Sequence, residues 1–399
     1  MYILIANVGS TSFKFQLFDG VSLLAIARGR LERIGASCAP VQYRTTGGDE
    51  IVRTVDLPDF ASAIRYSMEL MADSDIGVLS DLSEIAAVGF KPVHGQEITG
   101  CRLLTEDILA KMEAANPLAP AHNPPYIEAV RLFAELMPVL PLYGLFEPTF
   151  HQTMPPHAQI YGVPYEWVEQ YGIRRYGFHG ASHRYIAERT PVLLGRAADA
   201  LKIVSCHLGG SSSLCAVDSG RSVDTTMGLS PQSGLMQSSR NGELDPFAVL
   251  YVMDRTGMTT EEMRTVLCKQ SGLKGLSGVD SGDMRDLLEA EQNGDARAQL
   301  AADAFVYEIK KHIGAYAAAM GGLDAIIFTG GIGERSPVIR ERICNGLGFL
   351  GVVIDRTKNY MVDGEAIVSE AHAQVTVAVV PANEELVVAR EVVKALGEG

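Results

Sequence analysis

The segment Ile3-Leu4-Ile5-Ala6-Asn7-Val8-Gly9-Ser10-Thr11-Ser12-Phe13-Lys14-Phe15 returns in altered form as Ile203-Val204-Ser205-Cys206-His207-Leu208-Gly209-Gly210-Ser211-Ser212-Ser213-Leu214-Cys215. Each copy is a short apolar run, a turn rich in glycine and hydroxyl residues, and a second β-prone run closed by Asp19-Gly20 or Ser219-Gly220. Runs of this length between such turns read as strands joined in a hairpin. Small residues let backbone N–H groups approach an anion, and serine or threonine adds donors at little steric cost. One such loop alone is equally well an ordinary tight turn. Two in matching places, the first followed by Lys14, constrain the chain to two similar halves built to hold a polyphosphate.

Composition agrees with that division. At 399 residues the chain exceeds the size at which single cores stop growing, so two domains are expected. With 47% hydrophobic and 21% charged residues it has the make-up of a globular protein. No apolar run approaches the ~20 residues of a membrane span, and Asn7 and Lys14 interrupt the place of a signal peptide. The six cysteines lack metal-ligand or redox spacing and are expected to be reduced, in a cytoplasmic protein. The formal charge of −14 argues against a nucleic-acid partner and requires cations to converge locally if the substrates are anions.

Helical patterns are expected at residues 59–72, 105–115 and 126–136, and a strand at 139–146. The proline-rich segment 116–125 reads as an ordered loop. From about residue 151 a second unit begins, with helices at 246–256, 260–268, 283–290 and 297–320. In the last of these, Phe305, Ile309, Ile313, Tyr316 and Met320 recur at helical spacing and are expected in the core. A buried strand at 324–329 precedes Gly330-Gly331-Ile332-Gly333, so that turn falls at the carboxyl end of a sheet, where ligands bind. A closing helix after Pro381-Ala382-Asn383-Glu384-Glu385 is expected to return to the first unit.

Several segments suit phosphate chemistry. His179 and His183 flank a small-residue turn; their spacing allows a metal, but imidazole donation to a phosphoryl group fits better. Arg240, among small residues, presents a planar fork for a carboxylate or phosphate. Asp283 with Arg285 opens a helix as a cap or as a contact to a nucleoside. Glu384 is either a capping carboxylate or a Mg²⁺ ligand.

Taken together, these segments resemble the acetate kinases, of the acetate- and sugar-kinase, heat-shock chaperone and actin superfamily. The resemblance runs through Asn7–Phe15, Phe150-His151-Gln152-Thr153-Met154-Pro155, Phe178–His183, His207–Ser213, Ser222–Pro246, Asp283–Asp286, Phe328–Pro337 and Pro381–Leu386. It implies an α/β fold of two ribonuclease-H-like domains with an interdomain cleft, divided as 1–150 plus 385–399 and a nucleotide-binding 151–384. It further implies a homodimer using ATP/ADP with Mg²⁺ or Mn²⁺, and a small carboxylate as the other substrate. Asn7 and Glu384 would serve the metal. Ser10, Ser12, Lys14, His207, Gly209 and Gly210 would serve the phosphates, and Asp283, Arg285 and Gly331 the adenosine. His179 and Arg240 would stabilise the transition state.

Four positions depart from the family pattern. Its substrate-clamp arginine is Lys91, its catalytic aspartate is Glu147, a leucine of its methyl pocket is Ala121, and its second-loop asparagine is Gly210. Lys91 is a point charge that cannot grip a carboxylate through two parallel bonds. With Ala121 beside Val93, Phe178 and Pro231 the acceptor pocket is expected to be more open, favouring an acid longer than acetate. The expected activity is ATP-dependent phosphorylation of a short-chain carboxylate by in-line transfer, with Glu147, His179, Arg240 and Lys91 as the catalytic set. Two alternatives stand beside it: a kinase for a hydroxyl acceptor with Glu147 as general base, and a nucleotide-binding protein without catalysis.

Overall fold

The structure, a computed structural model, describes residues 1–9 and 11–398. Ser10, expected to bind phosphate, lies outside the described residues. The chain divides into Met1–Thr149 with Asn383–Gly399, and Phe150–Ala382. Glu384 therefore falls in the first unit, whereas the sequence reading assigns it to the second. The reason is that the closing helix, Glu384–Gly397, begins at this residue and packs on the first unit's sheet.

That sheet contains β1 (Tyr2–Val8), β2 (Ser12–Asp19), β3 (Ala25–Glu32), β4 (Ala39–Thr45), β5 (Glu50–Val55), β6 (Ile85–Phe90), β7 (Cys101–Leu103) and β8 (Leu142–Leu145). Their order is β5-β4-β3-β2-β1-β6-β8-β7. The first five strands form an antiparallel meander, while β6 joins β1, and β8 joins β6, in parallel. Leu4, Ala6, Val8, Phe13, Phe15 and Leu17 share a core with Ile64 and Met68 of helix Phe60–Met71 and with Ile127, Val130 and Phe133 of helix Asn123–Leu136. Gly89 of β6 lets the closing helix approach, because a Cβ there would lie 2.7 Å from Ile5 and 3.0 Å from Val392. Helix Asn123–Leu136 starts inside the proline-rich segment expected to be a loop. Pro124 and Pro125 occupy its first turn, where no backbone N–H is required.

The second unit is built from β9 (Lys202–Leu208), β10 (Ser212–Asp218), β11 (Arg221–Thr225), β12 (Ala325–Thr329), β13 (Ala366–Ile367) and β14 (Thr376–Val379), in the order β11-β10-β9-β12-β14-β13. Three antiparallel strands again lead into two parallel ones. The ribonuclease-H-like α/β pattern thus occurs twice, and the repeated hairpin forms β1–β2 in one unit and β9–β10 in the other. Helix Ala296–Met320 is capped by Asp295 and ended by Gly321 in the left-handed conformation; Phe305, Ile309, Ile313, Tyr316 and Met320 are all buried. The six cysteines are unpaired. Among the described residues no helix is long and apolar enough to cross a membrane.

Candidate active site

In the first unit, three charged side chains from distant parts of the chain meet. Lys91 follows β6, Glu147 opens the short helical segment Glu147–Thr153, and Glu384 is the first residue of the closing helix. The Lys91 ammonium lies 3.3 Å from Glu147 Oε1 and also pairs with the Glu384 carboxylate. All three are largely buried, so the ion pairs are shielded from water and screened weakly by salt. The second oxygen of Glu147, Oε2, is buried and has no hydrogen-bond partner among the described residues. A carboxylate oxygen left this way is costly unless a further cation or donor completes it.

Nearby polar groups are fixed from the sheet and helix. Asn7, near the end of β1, accepts through Oδ1 a hydrogen bond of 3.1 Å from the Tyr126 hydroxyl. Tyr126 is buried, and desolvation, reinforced by Glu147, raises its phenol well above the usual range. Asn123 clamps the loop carrying Val93. Its amide nitrogen donates to the carbonyls of His94 and Met112 at 2.7 and 2.9 Å, and its oxygen accepts from His94 N at 3.2 Å. Val93 is nearly buried, whereas Ala121 is exposed. Lys14 is exposed and stands opposite Asn7 across β1–β2, and Gly9 N donates to the Ser12 carbonyl at 2.8 Å.

In the second unit the sequence feature of two histidines resolves differently from its expected turn. Residues Gly180–Leu194 are a helix; His179 precedes it with φ 55° and ψ 29°, a left-handed conformation uncommon for residues other than glycine. Gly177 makes this approach possible, since a Cβ there would lie 2.5 Å from the His151 ring and 2.7 Å from Thr225. His183, one turn into the helix, is fully buried.

A chain of side chains then runs through the hairpin. His179 Nδ1 lies 2.7 Å from Ser213 Oγ, which lies 2.8 Å from His183 Nε2, and His183 Nδ1 lies 2.8 Å from Ser205 Oγ. The His179 ring stacks on His207, with centroids 4.2 Å apart and planes 24° from parallel, and His207 Nδ1 lies 2.8 Å from Ser182 Oγ. Burial, aided by His151 and His207, pushes His183 well below the ordinary histidine range, so it is neutral at pH 7. Burial also takes His151 down to about 4; its ring nitrogens contact Ser222 Oγ and the Phe178 carbonyl, and the latter contact partly opposes the fall.

Beside this chain Arg240 Nη1 donates to Gln237 Oε1 at 2.9 Å and to Ser211 Oγ and the Pro231 carbonyl at 3.3 Å. These acceptors are neutral oxygens, and burial lowers the guanidinium's pKa from its usual value. Gln237, fully buried, ties the loops together by accepting from Ser211 Oγ and donating to Pro231 O. Gly210 accepts from Ser238 N at 3.0 Å, and a Cβ on it would meet only Ser238 Oγ at 3.5 Å, ordinary contact. A side chain fits at this position, so the missing asparagine is a loss of a polar group rather than a steric requirement.

His207 pairs with Thr329 at the carboxyl end of the parallel strands β9 and β12, where Gly330–Arg335 begins a short helix. Gly331 is its second residue and faces open space, as a nucleotide contact needs. Asp283 caps helix Met284–Gln292 and holds Arg285 through contacts of 2.7 and 3.0 Å, which lower the carboxyl and raise the guanidinium. The reading from sequence missed Asn123, Tyr126, Ser182, Ser205, Ser213 and Gln237 as positioning groups. The repeat contained Ser205 and Ser213, but side-chain pairing with His183 is invisible until the helix is placed.

The donor set of the first unit suits a hard cation. Asn7 and the two carboxylates are oxygen donors, and Glu147 Oε2 has an unfilled requirement. Among the described residues no cluster of three or more His, Cys, Asp or Glu forms a metal cage. Mg²⁺ needs none, because it keeps several waters and takes one or two carboxylates plus phosphate oxygens.

Comparison with known proteins gives a consistent result. The model of the "Acetokinase family" matches residues 2–390. The chain is 44% identical over 396 residues to acetate kinase from Thermoanaerobacterium thermosaccharolyticum, covering 99% of this chain and 98% of that one. It is 43% identical to acetate kinase from Halothermothrix orenii, covering 98% of each. Among solved structures, acetate kinase from Porphyromonas gingivalis superposes with TM-score 0.87 at 36% identity and 99% coverage of both chains. A propionate kinase from Francisella tularensis superposes with TM-score 0.88 at 34% identity and 98% coverage of both.

Proposed function

The chain belongs to the acetokinase family, and from that premise we propose that it transfers the terminal phosphoryl group of ATP to acetate or propionate, reversibly, giving an acyl phosphate and ADP. The acceptor carboxylate is already ionised at pH 7, so no general base is needed. The work is positioning and neutralisation of charge on a loose phosphoryl transition state. In this reading His179 and Arg240 donate to the phosphoryl oxygens. The loop Gly209–Ser211 with His207 receives the phosphates, and Gly331, Asp283 and Arg285 receive the nucleoside. Asn7, Glu384 and Glu147 would hold Mg²⁺, which when bound offsets the charge of the phosphates. Lys91 neutralises the two carboxylates and lies where the clamp arginine stands in the family. Val93 and Ala121 would contact the acceptor's alkyl group.

The observation that carries the proposal is the grouping of His179, His207 and Arg240 around the second hairpin. Each can present a donor, and His179 is held in a conformation that costs on the order of 1–3 kcal/mol, which is sustained at sites where strain serves function. The family kinship also supports a homodimer in the cytoplasm, which light scattering and fractionation would test. The decisive assay is ATP-dependent acyl-hydroxamate formation with acids of two to five carbons and their hydroxy derivatives. Turnover with acetate or propionate is the expected result; turnover only with hydroxyl acceptors would replace the carboxylate reading.

A further inference from the structure

Ser213 stands between two imidazoles, and its single proton decides what each ring presents. It lies 2.7 Å from His179 Nδ1 and 2.8 Å from His183 Nε2, and it is fully buried on β10 beside His207 of β9. A serine hydroxyl donates one hydrogen bond and accepts two. If it donates to His183, His179 must carry its proton on Nδ1, and a neutral His179 then has a bare lone pair at Nε2. If it donates to His179 Nδ1, a neutral His179 carries its proton on Nε2 and is a donor there. The second pattern requires His183 to donate from Nε2 and to accept at Nδ1, and Ser205 Oγ lies 2.8 Å from that Nδ1.

We propose that His183 and Ser205 are positioning residues that act through Ser213 to hold His179 as its Nε2–H tautomer, making His179 a phosphoryl donor without a positive charge. Every contact needed is present, and the protons balance: Ser205 O–H to His183 Nδ1, His183 Nε2–H to Ser213 Oγ, Ser213 O–H to His179 Nδ1. His183 is sealed from water and faces three rings, His151 at 5.7 Å, His179 at 6.3 Å and His207 at 6.4 Å between centroids. Cys215 lies 3.9 Å from His151 in the same surroundings. A neutral His183 keeps a single N–H and can commit it to Ser213. The face-to-face stack of His179 on His207 makes a charge on both rings at once unfavourable, and a neutral His179 meets that constraint whatever the state of His207.

This inference rests on the reading of His179 as a phosphoryl donor, but its test does not depend on turnover alone. In protein labelled at the histidine nitrogens, NMR should show His179 protonated at Nε2 and unprotonated at Nδ1 at pH 8. Wild-type kcat should stay flat from about pH 6 to about pH 8.5, because the donor survives loss of the ring's charge. In Ser213→Ala the Nδ1–H form becomes accessible, and kcat at pH 8 should fall by about tenfold to a hundredfold. Activity should then recover toward wild type as acid converts the His179 ring to imidazolium, which restores the Nε2–H. Ser213→Thr, which keeps the hydroxyl, should behave as wild type. A Ser213→Ala profile parallel to wild type, or an Nδ1–H tautomer of His179 in the wild type, overturns the proposal. If the wild type fails to phosphorylate any carboxylate while its His179 tautomer is Nε2–H, the relay stands and the proposed function falls.

Discussion

The two hairpins that open the two sheets descend from one pattern and have been put to different uses. In β1–β2 the register pairs Asn7 with Lys14, and Lys14 is exposed. In β9–β10 the pairing is shifted by one residue, and the register pairs His207 with Ser213, which is fully buried. The first copy therefore brings solvent-facing charge and a metal-type oxygen to its unit. The second brings a dry hydrogen-bonded network of imidazoles and hydroxyls, whose members hold one another in place. The exposed Lys14 acts through a screened point charge, whereas a donor aimed at a transition state gains from rigidity and a low dielectric.

The largest test of that division is Arg240→Ala in the second unit. Removing a donor used mainly in the transition state should lower kcat by roughly 10² to 10³ while leaving ATP affinity, by calorimetry, nearly unchanged. An unchanged kcat with weakened ATP binding would move Arg240 to the nucleotide site. The next concerns stability against pH. His151 has a folded pKa near 4, lowered from its ordinary 6.5, so the unfolded chain binds its proton first. Its contribution is fully present above about pH 6.5 and is lost as the pH falls toward 4. A fall of about 2.5 pH units at about 1.36 kcal/mol each makes the loss about 3 kcal/mol. Hydrogen exchange should show protection in β9 and β10 dropping over this window more than in β1 and β2, and His151→Gln should flatten the difference. Equal loss in both sheets would mean that the buried histidines do not set the second unit's acid sensitivity.

Much of this difference was legible in the chain. Two similar halves, the hairpins, the core stripe of helix Ala296–Met320 and the residue types of the site followed from spacing and turn chemistry. Hidden from the sequence was whatever depended on a face or a register. His183 reads as a second ligand or donor four residues after His179, yet helix Gly180–Leu194 turns it inward onto Ser205 and Ser213. Asn123 reads as part of a proline-rich loop and Tyr126 as the first residue of the helix after it, yet the prolines open the helix at Asn123 and leave both residues on its buried side. Lys91 reads as a weak clamp for the acceptor, and only the structure pairs it with Glu147 and Glu384. Long-range ion pairs leave no local periodicity, so no window of sequence contains them.

A smaller effect should separate the ion-handling unit from the donor-holding one. Glu147→Gln removes one charge from the Lys91 cluster and should weaken Mg²⁺ binding by roughly tenfold in a calorimetric titration without substrates. Ser211→Ala, in the second hairpin, should leave that titration unchanged. A shift in both would show that metal binding is not confined to the Lys91 cluster.

The smallest expected effect bears on the acceptor. Ala121 is exposed at the entry to helix Asn123–Leu136, so a leucine there creates no overpacking and should fold normally. If Ala121 leaves room for a longer alkyl chain, each buried methylene adds roughly 0.8 kcal/mol, or about fourfold in kcat/KM. Wild type should then favour propionate over acetate by a few-fold, and Ala121→Leu should reverse the ratio while changing kcat for acetate little. The metal titration should be untouched, because the alkyl group and the Lys91 cluster are separate requirements of the same unit. An acetate preference of tenfold or more in the wild type, unmoved by the leucine, would show that position 121 does not bound the acceptor's alkyl group. The departures at Lys91 and Glu147 would then be compensated changes that leave acceptor choice as it is in acetate kinases.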